Sequence, residues 1–295
     1  MHEDRKTIEE NLRLHVNRLA GLIGPRHLRK PKSIQATVGY IESQWQSMGF
    51  HPQKERFDAL DEEATNLVVE QKGSRDAENI IVLGAHYDTV PTTPGADDNA
   101  SAVAVLLEAS RLLYEVRTKR TARFVAFACE EPPYFNVDSM GSQHHARRSR
   151  RRGDHIVGML CLEMVGYFTD EPNSQQVPQA IPKWLHRFFP SRGNFLAAVG
   201  NMHSWKLCWQ FRRGFKSAST VPLFSICLPE KVSDIRLSDN SSFWDQGYPA
   251  LMLTDTSFLR NPNYHRATDT PETLNYEIMT EVTLGVAGAM RLLLR

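Results

Sequence analysis

Apolar and polar positions along this chain follow first one period and then another. Over the first fifty residues Leu12, Leu14, Val16, Leu19 and Leu22 lie among charged neighbours. Ile34, Val38, Ile41, Trp45 and Met48 then recur every three or four residues, the spacing of a one-faced helix closed by Gly49. Beyond that glycine the pattern turns strand-like. Gln53–Phe57 alternates, Asn66–Glu70 follows, and Ile80–Leu83 is a continuous apolar run suited to a strand buried on both faces. Phe124–Cys129, Ile156–Met164, Phe195–Val199, Leu223–Cys227 and Ala250–Leu253 predict further strands. Between and after them the pattern predicts helices over about Ala100–Val116, over the basic stretch Gly141–Arg152, and over the apolar stretch Tyr276–Leu294. Strands alternating with helices imply an α/β sheet covered on both faces. Residues 170–193, rich in Pro, Gln, Ser and aromatics without a period, read as an irregular surface excursion rimming a site. No linker-like break or repeat interrupts the chain, so residues 1–295 read as a single domain, with 1–50 its N-terminal helical segment.

Composition narrows the functional classes. The chain has 295 residues, 41% hydrophobic and 23% charged, the profile of a globular protein rather than a disordered tail, a collagen-like repeat or a disulfide scaffold. Lys and Arg (35) balance Asp and Glu (34), a net charge of +1 that argues against a nucleic-acid binder. No apolar run approaches the roughly 18 residues of a membrane span. The opening MHEDRKTIEE lacks the apolar stretch of a secretory signal, so no membrane partner and a cytoplasmic location are expected, or secretion if a leader has been removed. Cys129, Cys161, Cys208 and Cys227 form no CxxC pair and read as free, buried thiols. The run RRSRRRGD at 147–154 reads as a solvated helix face, and His144 and His145 on the same helix as solvent-facing or packing groups. Trp184, Phe188, Phe189 and Trp205 would either line a pocket or cover the sheet.

The chemistry gathers at strand ends. His86 and Asp88 close IIVLGAHYDTV; Asp97 and Asp98 lie in PGADDNAS; Glu130 and Glu131 close RFVAFACEE; Glu163 ends MLCLEMVG; His265 sits in NPNYHRATDT. In an open α/β sheet ligands bind beyond the carboxyl ends of the strands, which would bring these groups to one mouth. Crowded carboxylates raise one another's pKa values, a penalty that a bound cation removes. Zinc takes imidazole nitrogen and carboxylate oxygen, usually keeping one position open in a catalytic site. Two histidines with three or four carboxylates exceed one such ion and suit two metals sharing a bridging carboxylate. Singly, each residue has an ordinary explanation: Asp98 or Asn99 would cap a helix, and Glu130–Glu131 before two prolines would make a turn. It is their conjunction, in this order, that those explanations do not reach.

The order HxD, GADDN, EE, LEM, YH resembles the zinc-dependent exopeptidases that include bacterial leucyl aminopeptidases, glutamate carboxypeptidase II and glutaminyl cyclases, metallopeptidase family twenty-eight. The resemblance covers about residues 65–275. It implies a three-layer α/β/α sandwich with a central mixed, mostly parallel sheet, and two Zn2+ ions. By the same resemblance His86, Glu163 and His265 are terminal metal ligands, Asp98 bridges, Glu131 is the partner ligand and Glu130 the general base. Asp88 holds the second nitrogen of His86, and Tyr264 matches a tyrosine that in some relatives hydrogen-bonds the developing oxyanion. Two departures stand out: Glu163 occupies a position where many members carry Asp, and Ser238–Asn240 reads SDN where relatives often have SDH. Neither removes a ligand. The implied function is a di-zinc aminopeptidase acting on peptides or small amides. The alternatives are a carboxypeptidase, an N-acyl-amino-acid hydrolase or a glutaminyl cyclase, and, from another class, a non-catalytic binding protein on the same scaffold.

Overall fold

A computed structural model describes residues 5–295, so the first four positions of the expected N-terminal helical segment lie outside the described residues. Eight strands form one sheet: β1 (Gln53–Ala59), β2 (Glu62–Gln71), β3 (Asp76–His86), β4 (Arg120–Phe127), β5 (His155–Glu163), β6 (Leu196–Asn201), β7 (Leu223–Leu228) and β8 (Ala250–Thr254). Their order across the sheet is β1-β2-β4-β3-β5-β8-β6-β7. The pairs β3–β4, β3–β5, β5–β8 and β6–β7 are parallel and the other three antiparallel, which makes the sheet mixed and mostly parallel.

The period of two in the strands sorts side chains into two cores. In β3, Ile81, Leu83 and Ala85 face one core while Ile80 and Val82 face the other. The larger core packs under α1 (Arg5–Val16), α2 (Pro31–Ser47), α3 (Ala102–Leu113), α5 (Trp205–Lys216) and α7 (Tyr276–Leu293). The smaller lies under α4 (Gly141–Arg152) and the short α6 (Asn240–Trp244), giving three layers. The unequal layers matter for the site. Ala197, Val199, Phe224, Ile226, Leu228, Met252 and Thr254 line an open cavity, while their alternates Leu196, Ala198, Leu223, Leu251 and Leu253 are sealed in the larger core.

Two elements differ from the pattern read off the chain. The first fifty residues are not one helix: the path breaks between Ile23 and Pro31, where Gly24 adopts φ 75°, and α2 restarts with Pro31 in its first turn. Helix α5 had no counterpart in the pattern. It buries Leu207, Cys208, Phe211 and Phe215 at helical spacing, but leaves Trp205 and Trp209 exposed, which blurred its apolar stripe. Trp184 and Phe188 are likewise exposed, so of the four aromatics proposed as lining or cover only Phe189 lines the cavity. All four cysteines are free, three of them buried, with Cys227 half-buried. No described helix is long and apolar enough to cross a membrane.

Candidate metal centre

Parallel strands β3, β4 and β5 end together, and the turns that follow them carry the predicted groups. His86 is the last residue of β3 and Glu163 the last of β5; Glu130 and Glu131 follow β4, and Asp98 lies on the loop into α3. Asp98 sits between the two histidines. Its Oδ1 is 3.6 Å from His86 Nε2 and its Oδ2 is 3.1 Å from His265 Nε2. Glu163 Oε2 approaches His86 Nε2 at 3.3 Å, and Glu131 Oε2 approaches His265 Nε2 at 3.2 Å. Two trios result, His86–Asp98–Glu163 and Asp98–Glu131–His265, each with one ligand atom per residue converging within 4.8 Å. The trios share Asp98. Glu130 Oε2 stands 3.7 Å from His86 Nε2, belonging to neither trio, and Tyr264 stacks on the His265 ring with centroids 3.8 Å apart.

A network of buried polar groups fixes these turns. Asp88, 3.4 Å from His86 Nδ1, also accepts the main-chain N–H groups of Glu130 at 3.0 Å and Glu131 at 3.1 Å, so it anchors the turn after β4 as well. Asp269 accepts the N–H groups of Asp97 and Asp98 at 2.9 and 3.2 Å. Asn99 donates to Leu162 O and accepts from Met164 N, tying the Asp98 loop to the end of β5. Ser238 donates to Glu163 Oε2 at 2.5 Å. Asp269 lies within NPNYHRATDT without an expected role, and Asn99, a candidate helix cap in the sequence, ties two loops instead. Their partners are main-chain groups, which leave no trace in a pattern of residue types.

The electrostatics explain what this arrangement requires. Burial, with Asp98 nearby, pushes Glu131 up to about 8. Burial raises Glu130 well above the carboxylate range despite His86, and Glu163 and Glu131 add to it. His265 is pushed up to about 10: burial opposes its charge, but Asp98 and Glu131 outweigh burial. Both ring nitrogens of His86 and Glu131 Oε1 are buried without a hydrogen-bond partner. Unpaired buried polar atoms are costly, and His86 Nε2 is the atom that Asp98 and Glu163 approach in the first trio. Imidazole nitrogen and carboxylate oxygen are zinc's preferred mixture with such ligand counts, so the donor set fits that group.

The centre opens into a cavity of about 220 Å3. One wall is the uncovered face of β6, β7 and β8; the other is the irregular excursion, through Gln175, Gln176, Pro178, Ile181, Phe189 and Pro190. Phe189 meets Phe224 of β7 with ring centroids 5.2 Å apart. Among the described residues lining this cavity there is no Lys or Arg.

Comparison with known proteins places this geometry. The profile of Peptidase family M28 matches residues 66–290. A protein of Escherichia coli (strain K12) designated "Uncharacterized protein YfbL" is 35% identical over 290 residues, covering 96% of this chain and 87% of that one. "Aminopeptidase YwaD" of Bacillus subtilis (strain 168) is 42% identical over 89 residues, 30% of this chain and 18% of that protein. Among solved structures, "BSAP, a zinc aminopeptidase from Bacillus subtilis" superposes with a TM-score of 0.73 at 15% identity, covering 96% of this chain and 94% of that one, a likeness of fold.

Proposed function

The chain belongs to peptidase family M28, and from that premise we propose that it is a di-zinc aminopeptidase removing N-terminal residues from peptides. The observation that carries the reading is the pair of ligand trios sharing Asp98. In it His86 and Glu163 would hold one zinc, Glu131 and His265 the other, and Asp98 would bridge. Bound there, the ions supply Lewis-acid polarisation of the scissile carbonyl and activation of water. The rest of the work belongs to the chain. Glu130 Oε2 takes a proton from the attacking water and returns it to the leaving amide nitrogen. Its carboxyl, which burial, Glu163 and Glu131 raise above the ordinary carboxylate range while His86 opposes the rise, stands beside the first trio, where it can accept that proton and pass it on. Burial also raises the Tyr264 phenol, keeping it protonated as a donor to the oxygen that becomes negative.

The cavity favours an amino over a carboxyl terminus. A substrate carboxylate would find no lining Lys or Arg, whereas a free amine would find a cluster of carboxylates. The apolar wall from β6, β7 and β8 fits a neutral, hydrophobic N-terminal side chain. The test is a panel of aminoacyl amides and their N-acylated counterparts, with zinc content measured in parallel. Cleavage confined to unblocked substrates is expected; activity only on blocked ones would overturn the reading.

A further inference from the structure

The N-terminal helical segment precedes the stretch matched by the family profile, yet one of its side chains reaches the turns that carry the proposed ligands. Arg26 is fully buried and donates to five main-chain carbonyls from three segments. Its Nε donates to Tyr87 O at 2.8 Å, the residue between His86 and Asp88. Its Nη1 donates to Pro94 O at 2.7 Å, and to Leu19 O and Gly24 O at 3.1 Å each. Its Nη2 donates to Gly95 O at 2.7 Å, three residues before Asp98. Its main chain joins in: Arg26 N donates to Thr89 Oγ1 at 3.0 Å, and Thr89 N donates to Arg26 O at 3.1 Å.

A buried guanidinium would ordinarily pair with a carboxylate. This one is hydrogen-bonded to carbonyls instead, and burial lowers it to about 10 although Asp269, Asp98 and Asp88 oppose the drop. Such a cost fits a residue selected for where it holds the backbone. The loop it grips is closely wound. Gly95 has φ 63°, and a Cβ there would fall 2.2 Å from Asp98 O and 2.9 Å from Arg26 Nη2. The planar, fixed fork of arginine spans the turn after β3 and the Asp98 loop at once, which the single ammonium of lysine does not.

We propose that Arg26 is a positioning residue for the metal centre: its guanidinium locks the His86–Asp88 turn against the Asp98 loop, setting the approach of His86 to the shared Asp98 before metal binds. This rests on the di-zinc reading above. Outer contacts that orient ligands typically change metal affinity about 10- to 100-fold when lost.

The experiment compares Arg26→Lys, which keeps the charge and loses the fork, with the parent and with Val286→Ala, a buried position in α7. Each protein is stripped of metal, its melting temperature is recorded, and stepwise zinc affinities are read by competition with a chromophoric chelator. The expected result is a 10- to 100-fold loss of affinity in Arg26→Lys for at least one ion, against less than twofold in Val286→Ala. Loss of melting temperature in Arg26→Lys with parental zinc affinity would overturn the proposal and leave Arg26 a packing residue. If Arg26→Lys does not fold, Thr89→Val loosens the same clamp by removing the acceptor of Arg26 N. It should weaken zinc by about tenfold, the lower end of the range for lost outer contacts, and unchanged affinity there overturns the proposal too. A parent that binds no zinc would instead sink the di-zinc reading itself, an outcome distinct from either.

Discussion

Two buried histidine–carboxylate clusters sit on this sheet, and their electrostatics run in opposite directions. Near α4, His145 Nδ1 meets Glu55 Oε2 at 2.7 Å and Arg148 Nε lies 3.7 Å from Glu55 Oε1. Close by, Arg123 pairs with Glu70 at 2.6 Å and with Asp154 at 2.8 Å, and Arg152 joins Asp154 at 2.6 Å. Every carboxylate there has a cation from the chain. Burial alone would raise Glu55, but His145 and the arginines hold it down at about 2. At the ends of β3, β4 and β5 the chain supplies carboxylates in excess of its two histidines, and Glu131 moves up to about 8. The same residue types thus form a structural network where charge balances and a candidate metal centre where it does not. Breaking each cluster in turn is the sharpest check on that distinction.

The largest contrast should come from removing one carboxylate from each. Glu130→Gln should retain zinc and lose about 10²- to 10⁴-fold in kcat, the usual worth of a positioned general base. Glu55→Gln should leave kcat within about twofold, since Glu55 does not line the cavity. Steady-state kinetics with metal analysis read both. Parental kcat in Glu130→Gln would remove the general base from the mechanism.

Stability against pH separates the clusters next. The pKa of Glu55 falls from 4.5 to about 2 on folding, so the native state binds fewer protons than the unfolded chain over that interval. Its contribution is therefore complete above about pH 4.5 and is lost as pH drops toward 2. At 1.36 kcal/mol per unit, the shift amounts to about 3 kcal/mol. Urea unfolding of metal-free protein at pH 7, 4 and 2.5 should show Glu55→Gln less stable than the parent at neutral pH by up to this amount, the gap closing in acid. A gap independent of pH would mean that the charge of Glu55 contributes nothing.

The two clusters also differ in how far the chain alone disclosed them. His86, Glu130, Glu131 and Glu163 stand at or just past the ends of apolar parallel strands, which makes their convergence inferable from the chain, while Asp98 and His265 lie on loops and were legible through their motifs. His145 and Glu55 lie ninety positions apart on a helix and an antiparallel edge strand, and no local pattern pairs them. The same limit hid Arg26 and Asp269, whose partners are main-chain atoms. It hid α5 for a different reason: two exposed tryptophans broke the contrast between its faces. The apolar cavity was half legible. The irregular stretch 170–193 does rim it, but the wall opposite exists because α4 and α6 leave β6 and β7 uncovered, a property of layers rather than of any segment.

The smallest effect tests whether the excess of carboxylates is real in solution. In metal-free protein Glu131, with a pKa of about 8, holds its proton through neutral pH, and so does His265, at about 10. Ligation needs both deprotonated, so zinc must displace those protons, and affinity must fall as pH falls. Each proton released costs about tenfold in affinity per pH unit, equivalent to about 1.4 kcal/mol. Chelator competition at pH 7 and pH 6 should therefore show zinc held at least about tenfold more weakly at the lower pH. Calorimetric titration in two buffers of different ionisation enthalpy should report the released protons directly. The α4 cluster provides the internal reference: Glu55 is ionised throughout this range, so Glu55→Gln should leave the slope unchanged. A zinc affinity flat between pH 7 and 6 would mean that the carboxylates at the strand ends ionise as freely as those beside α4. The contrast between the clusters would then reduce to geometry alone.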